Sequence, residues 1–393
     1  MLQKFAFIFV LLLLVPDAYI YWHYIKKWAG DKKIKLLWWL PSVILIIGFI
    51  GARYIGTDNP MSDRQGIIAW LGILILCIGV PKIIFMLIDL VGRLLHAIYK
   101  PISIRFFGWL GLILGIGFFC IAFYGSFFGV AHFQVKEITY TSPRLPEAFD
   151  GYRIVQISDI HSGSYKQRPG IVKTMVEMTN AQQGDVILFT GDLVNNEAKE
   201  LDEYLPILRQ LKSKDGIVSI LGNHDYSPYI HWKTREAQHQ NIDALISKQR
   251  DELGWKLLLN ENIILHRGND SIAVVGVENA GDPPFPDYGD LDKAIGNTNS
   301  LFKILLSHDP THWRRNVLPE TDIQLTLAGH THEMQCTFWG FCPIMFKYPE
   351  HNGLYQRGGR FIYVNPGLGY VMFPFRIGAW PEITVITLKR AIK

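Results

Sequence analysis

Cysteine is scarce in this chain, with four residues among 393. Cys77 and Cys120 fall inside apolar runs. Cys336 and Cys342 lack the further partners that a zinc site at standard spacing would need. In an oxidising compartment that second pair could close a small loop. Charge is thin as well, at 19% of residues, and acidic charge is thinnest at the start. Residues 1–132 hold five acidic side chains against twelve basic ones, whereas the remainder holds 30 against 27. The basic balance therefore belongs to the first third, and no Lys/Arg stripe marks the rest as a nucleic-acid binder. Repeats at solenoid periods are also missing.

Long apolar runs stand where charge is lacking. Segments 5–25, 36–56, 66–90 and 106–130 are each near the length of about 20 residues that a helix needs to cross a bilayer. They predict an all-α, four-span membrane anchor over residues 1–132. The first run is too aromatic after Pro16-Asp17, and too poor in small residues, to carry a signal-peptide cleavage site. It reads as an uncleaved span, with Asp17 an ionisable group in or near the membrane. Gly111 and Gly115, four apart, suit close helix packing within this unit. Five lysines crowd the first connection (26–35), and Arg93, Lys100 and Arg105 lie in the third (92–105). The second (57–65) has only Arg64. Basic short loops stay cytoplasmic, so this pattern places both termini, and all that follows the fourth span, on the extracytoplasmic side.

Residues 133–150, with Pro143 and Pro146, read as a connector to a domain over 151–393. There, apolar β-branched runs alternate with helical spacing at 171–179, 200–211 and 234–253, and further strands fall at 272–277, 361–364 and 383–388. The proline-rich stretch 279–289 can be neither central strand nor helix and reads as a loop suited to substrate contact.

Short polar clusters close five of the apolar runs, 154–157, 186–189, 217–221, 304–306 and 323–327. The clusters are Asp159-Ile160-His161, Gly191-Asp192, Gly222-Asn223-His224-Asp225, Ser307-His308 and Gly329-His330-Thr331-His332. The carboxyl edge of a sheet is where α/β folds place their chemistry, and a glycine before Asp192, Asn223 and His330 permits a tight turn. Asp159, Asp192, Asn223 and the histidines at 161, 308, 330 and 332 make a mixed N/O donor set without thiolate. Such a set suits Mn, Fe, Zn or Ni. Two such cations about 3.5–4 Å apart bind a phosphoryl group, supply hydroxide and stabilise a leaving oxygen. One histidine at a strand end is ordinary, whereas five in this order with two Asp and one Asn are not. His231, His239, His266, His312 and His351 have no such spacing and read as ordinary residues. Arg314 and Arg315 read as a solvated helix face, and Arg376, beside the aromatic stretch 370–375, reads as a substrate contact.

The clusters resemble those of the calcineurin-like metallophosphoesterases, whose pattern is D-x-H, G-D, G-N-H-D/E, H and G-H-x-H in that order, and the match runs from about residue 153 to 388. The resemblance implies an α/β sandwich of two mixed sheets flanked by helices, and hydrolysis of a phosphomonoester or phosphodiester by metal-bound hydroxide. By position, Asp159, His161, Asp192 and His332 would hold one divalent ion, and Asp192, Asn223, His308 and His330 the other. His224 would stabilise or protonate the leaving group, and Asp225 would orient His224. Stretches 257–261, 275–277 and 376–383 are similar to a membrane-anchored or exported bacterial subgroup with relatives acting on UDP-2,3-diacylglucosamine. That subgroup implies a plasma-membrane enzyme acting on a lipid or nucleotide-sugar phosphate. The lipid-precursor pyrophosphatase reading needs a cytoplasmic site, against the loop charges; a catalytically dead sensor module would have lost ligands that this chain keeps. In relatives Gly-Gly-Gln often follows the last motif, where this chain has Glu333-Met334-Gln335.

Overall fold

Along the central strands of the C-terminal part, successive side chains are apolar on both faces, and that property sets the architecture. A computed structural model describes residues 2–52, 60–166, 168–298 and 300–391. Two compact units result, one of Met1–Phe128 with Met372–Phe375, the other of Gly129–Val371 with Arg376–Lys393.

The larger unit holds two six-stranded mixed sheets. The first contains β1 (Gln134–Ser142), β2 (Arg153–Ile157), β3 (Val186–Phe189), β4 (Ile217–Ser219), β5 (Lys256–Leu257) and, at the far end of the chain, β12 (Glu382–Arg390). Its order is β1-β12-β2-β3-β4-β5. The second contains β6 (Glu261–Arg267), β7 (Asp270–Gly276), β8 (Phe302–Leu306), β9 (Leu325–Ala328), β10 (Gly353–Arg357) and β11 (Arg360–Val364), in the order β10-β11-β9-β8-β7-β6.

The period of two along each strand assigns alternate residues to different cores. Val186 and Leu188 of β3 join Val274 of β7 and Ile304 and Leu306 of β8 in a core between the sheets. Ile187 and Phe189 turn the other way, onto Val172, Met175 and Val176 of helix Pro169–Ala181. Val275 and Leu305 pack outward on Trp313 and Val317. The layers are thus helix, sheet, sheet, helix. Strands β2, β3 and β4 are mutually parallel, as are β7, β8 and β9. Their carboxyl ends launch the loops that carry all five clusters.

Two expectations change. Residues 133–150 are not a connector: β1 pairs in parallel with β12 over nine residues. Its inward residues Tyr140 and Ser142 are buried, and the prolines that suggested a linker come only after the strand ends. The helical spacing at 200–211 gives two short turns, Ala198–Leu201 and Leu205–Leu208, because Pro206 stands at the start of the second.

Among the described residues, three helices are long and apolar enough to cross a membrane, within Lys32–Gly51, Ala69–Ile98 and Ile104–Ala131. The predicted segment 5–25 lies in continuous helix through residues 2–28; in the second connection, residues 53–59 lie outside the described ones. A Cβ on Gly111 or Gly115 would come within 3.1 and 3.0 Å of the carbonyls of Phe85 and Pro81, so these glycines let helices Val80–Ile98 and Ile104–Phe127 meet at backbone distance. Asp17 is fully buried and pairs with Lys82 at 2.7 Å. Asp89 pairs with Arg93 at 2.7 Å and accepts hydrogen bonds from Tyr19 and Tyr24.

Candidate metal centre

The loops after β2, β3, β4, β8 and β9 bring their donors to one place. Nε2 of His161 faces Nε2 of His332 at 3.0 Å, and His332 Nε2 stands 3.2 Å from Asp159 Oδ1. Asp192 Oδ2 lies 3.5 Å from His161 Nε2 and 3.2 Å from His308 Nε2. Asn223 Oδ1 then meets His308 Nε2 at 3.1 Å and His330 Nδ1 at 2.7 Å. Neighbouring ligands about one cation, each at about 2.1 Å, stand about 3.0–3.4 Å apart, and most of these separations are close to that. Asp159, His161 and His332 form one compact donor group, and Asp159, Asp192 and His308 another. The donor set fits a divalent cation in charge, chemistry and spacing.

Four of the donors are aimed by a second contact. His308 Nδ1 is fixed on the Thr190 carbonyl at 2.7 Å, which turns Nε2 inward. The amide nitrogen of Asn223 donates to the Tyr229 hydroxyl at 2.7 Å, so its oxygen is the atom presented. Asp192 divides its carboxylate, with Oδ1 accepting the His224 backbone N–H at 2.8 Å and Oδ2 facing the two imidazoles. His330 Nε2 meets the Tyr348 hydroxyl at 3.0 Å and lies 3.5 Å from the buried Asp309.

Burial lowers His161, His224 and His330 below the usual histidine range, and for the two donors His161 and His330 this favours the neutral imidazole a metal takes. Burial also disfavours charge on His308 and Asp192. Their mutual attraction prevails, pushing His308 up to about 10 and holding Asp192 well below the usual carboxylate range.

Backbone strain concentrates here. Asp159, His161, Asp192, His330 and His332 all have φ between 48° and 74°, a left-handed region uncommon outside glycine, though Asp and His enter it more readily than most. Glu333 and Met334, at φ 49° and 50°, continue it at the two positions where the family resemblance led us to expect glycine. Of the glycines read as turn-formers, Gly222 and Gly329 act by leaving room: a Cβ would collide with Asp192 Oδ1 at the first, and with Ser158 Oγ and Asp159 Oδ2 at the second.

Two site expectations are corrected. Asp225 does not orient His224, since its two oxygens accept the backbone N–H groups of Asp192, Leu193, Val194 and Gly222 and so staple two ligand loops together. The His224 ring is held through Nδ1 on the Asn195 carbonyl at 2.8 Å. Arg376 is not a substrate contact: it is fully buried, donates to the carbonyls of Gly369, Ala379 and Pro366, and packs at 3.1 Å from His332 Nδ1. Arg314 pairs with Glu350 and Arg315 with Asp282 and Asp287. Arg315 thus ties down the proline-rich loop, whose Phe285 packs on His330 at 4.6 Å between ring centres. Cys336 and Cys342 are free thiols. Asn195, Tyr229, Asp309 and Tyr348 were not singled out in the sequence, and only Asn195 and Asp309, close behind motif residues, carried any local signal.

This chain belongs to the calcineurin-like metallophosphoesterase family. Residues 152–334 match the family described as "Calcineurin-like phosphoesterase", and residues 3–130 match "Probable Calcineurin-like phosphoesterase, transmembrane domain", a four-span unit. The chain is 33% identical over 270 residues to "Uncharacterized metallophosphoesterase YkuE" of Bacillus subtilis, covering 65% of this chain and 85% of that protein. It is 27% identical over 406 residues to "Transmembrane protein with metallophosphoesterase domain" of Danio rerio, covering 97% and 88%. A Helicobacter pylori metallophosphoesterase is 29% identical over 404 residues, covering 99% and 98%. The membrane unit and the α/β domain thus occur together in bacterial and animal relatives. The family uses divalent metals, and the donor groups described above suit them.

Proposed function

We propose that this chain is a membrane-anchored hydrolase of phosphate monoesters or diesters that holds two divalent cations, its α/β domain on the extracytoplasmic face of a bacterial plasma membrane. Asp159, His161, Asp192 and His332 hold one cation, and Asp192, Asn223, His308 and His330 the other. The observation that carries this reading is the single oxygen, Asp192 Oδ2, lying toward His161 on one side and His308 on the other.

Bound divalent cations supply Lewis acidity, neutralising phosphoryl oxygens and acidifying water. The protein's own residues do the rest. Asp225 and the Thr190 carbonyl keep the ligand loops in register, so the donors need no rearrangement. His224, its Nδ1–H donated to the Asn195 carbonyl, has Nε2 left as an acceptor; when the negative charge of a bound phosphate ester draws a proton from solvent onto Nε2, that N–H would meet a phosphoryl oxygen and pass its proton to the leaving group. The lysine-rich first connection supports the extracytoplasmic orientation.

The test is hydrolysis of chromogenic phosphate mono- and diesters by the full chain purified in detergent and loaded with Mn. Metal-loaded protein that turns over neither ester would defeat the reading. For orientation, an impermeant protease applied to cells with a sealed inner membrane should cut within residues 140–393. Cleavage only after lysis would place the domain in the cytoplasm and favour hydrolysis of a nucleotide-sugar lipid precursor.

A further inference from the structure

The segment between the last predicted ligand and the site wall is the most apolar exposed stretch of the α/β unit. Phe338 and Phe341 exchange backbone hydrogen bonds in a tight turn, with Trp339 and Gly340 at its tip in left-handed conformations. Trp339 is fully exposed and Phe346 is 81% exposed; Phe338, Phe341, Met334 and Met345 are exposed beside them. The Phe341 and Phe346 rings meet edge to face at 6.4 Å, so these side chains form a patch rather than scattered points. A cluster of large apolar groups held outward, with Trp339 itself left-handed, marks an interaction surface.

From the loops described here, we propose that the aromatic loop 338–346 docks into the interface of the bilayer and that the ester hydrolysed at the centre is a lipid phosphate drawn from that bilayer. Three observations select a membrane as the occupant. The chain carries its own membrane spans, and β1 begins at Gln134, three residues after the last span ends at Ala131, so the link that tethers the domain to a bilayer is short. The patch has the composition of an interfacial anchor, with Trp and Phe projecting at the tip and Lys347 at its base, available to anionic headgroups. Lys347 sits over the rings of Phe285 and Tyr348, at 5.0 and 5.1 Å.

The loop is also continuous with the centre at both ends. It leaves from His332, six residues before Phe338, and returns through Lys347 to Tyr348, whose hydroxyl meets His330. An amphiphile with its chains in the interface beside this loop has a short path by which its phosphate reaches the donors. The docking surface stands independently of the proposed activity, whereas the substrate class rests on it.

The test uses the full chain in liposomes, with the four native cysteines replaced by Ala and one cysteine introduced at Trp339 or at Tyr288, which is exposed on the same unit. After labelling with the fluorophore NBD, the 339 probe should be blue-shifted and quenched severalfold more by spin-labelled lipids than the 288 probe. Water-like emission at 339, or a blue shift without lipid quenching, overturns the proposal; the latter would mean a protein partner covers the loop. In a second arm, the triple change Phe338→Ser, Trp339→Ser and Phe346→Ser should lower hydrolysis of phosphatidic acid presented in vesicles at least tenfold and leave a soluble chromogenic ester within twofold. An equal fall on both substrates, or on neither, overturns the lipid assignment. Hydrolysis of neither substrate by the unchanged protein would instead fail the phosphoesterase reading, with the probe result still deciding the docking surface.

Discussion

Buried carboxylates occur in both units, and they are treated in opposite ways. In the helical unit Asp17 and Asp89 are each neutralised by a protein cation, Lys82 and Arg93 at 2.7 Å. In the α/β unit Asp159 and Asp192 are equally buried, yet among the described residues no lysine or arginine pairs with either. Their charged-group neighbours are imidazoles, at 3.2–3.9 Å. An unpaired buried carboxylate is costly. One unit meets that cost with its own side chains and holds its helices together. The other surrounds its carboxylates with imidazoles and an amide oxygen, groups that can all turn to a metal, the composition of a site for an external cation.

The strongest way to break this contrast is Asp192→Asn, which removes the one anionic oxygen facing both groups. We expect metal content measured by elemental analysis to fall together with turnover, the latter by about 10³-fold or more; a variant that keeps metal and rate would refute the shared-ligand assignment. His224→Ala comes next. With Nδ1 held by Asn195, its part is in proton transfer, so kcat should fall by about 10²–10³-fold with metal retained. Metal loss would instead make His224 a ligand, in line with the ring nitrogen it places near donors of His161 and Asp192.

The helical unit gives the complementary test. Asp17→Ala strands Lys82 and should destabilise the unit by about 3–5 kcal/mol in a detergent unfolding assay, while Asp17→Leu with Lys82→Met should recover most of that loss. If the double change is as harmful as the single, the pair is more than a mutual neutraliser. The smallest effect concerns His312, which is buried beside Ser307 (2.8 Å) and outside the donor set. Burial, helped by Arg315, pushes its pKa down to about 4. The unfolded chain therefore binds a proton near pH 6.5 that the folded chain refuses. Stability should be fully present above about pH 6.5 and decline by about 3 kcal/mol as pH falls to 4. In chelator, His312→Asn should flatten that part of the profile, and an unchanged slope would exclude His312 as its source.

What the sequence made legible was local. Each cluster follows its own strand, so a run such as Val186–Phe189 ending in Gly191-Asp192 announces both the strand and the donor. The remainder depends on groups that meet across the fold. Arg376 looks like a free cation beside aromatics, and only the approach of 366–379 to His332, 44 residues away, shows it to be buried. Asp225 follows His224 in the chain, yet its oxygens serve amides 31–33 residues earlier. β1 was hidden because an edge strand with one inward face has too few apolar residues to show a period. The left-handed backbone at Asp159, His161 and Asp192 left no trace either, since none of them is glycine.

The spread of the donors along the chain has a consequence for biosynthesis. Asp159 and His332 are 173 residues apart, and the set between them comes from five loops on two sheets. During translation the early donors, Asp159 to Asn223, emerge with strands β2 to β4 of the first sheet, while His308, His330 and His332 arrive only with β8 and β9 of the second. No nascent chain shorter than this can present the complete cage. Loading is therefore a late event in the life of the molecule, and the choice of ion falls to whatever pool surrounds the finished domain. If that domain lies beyond the membrane, the pool is the one outside the cytoplasm.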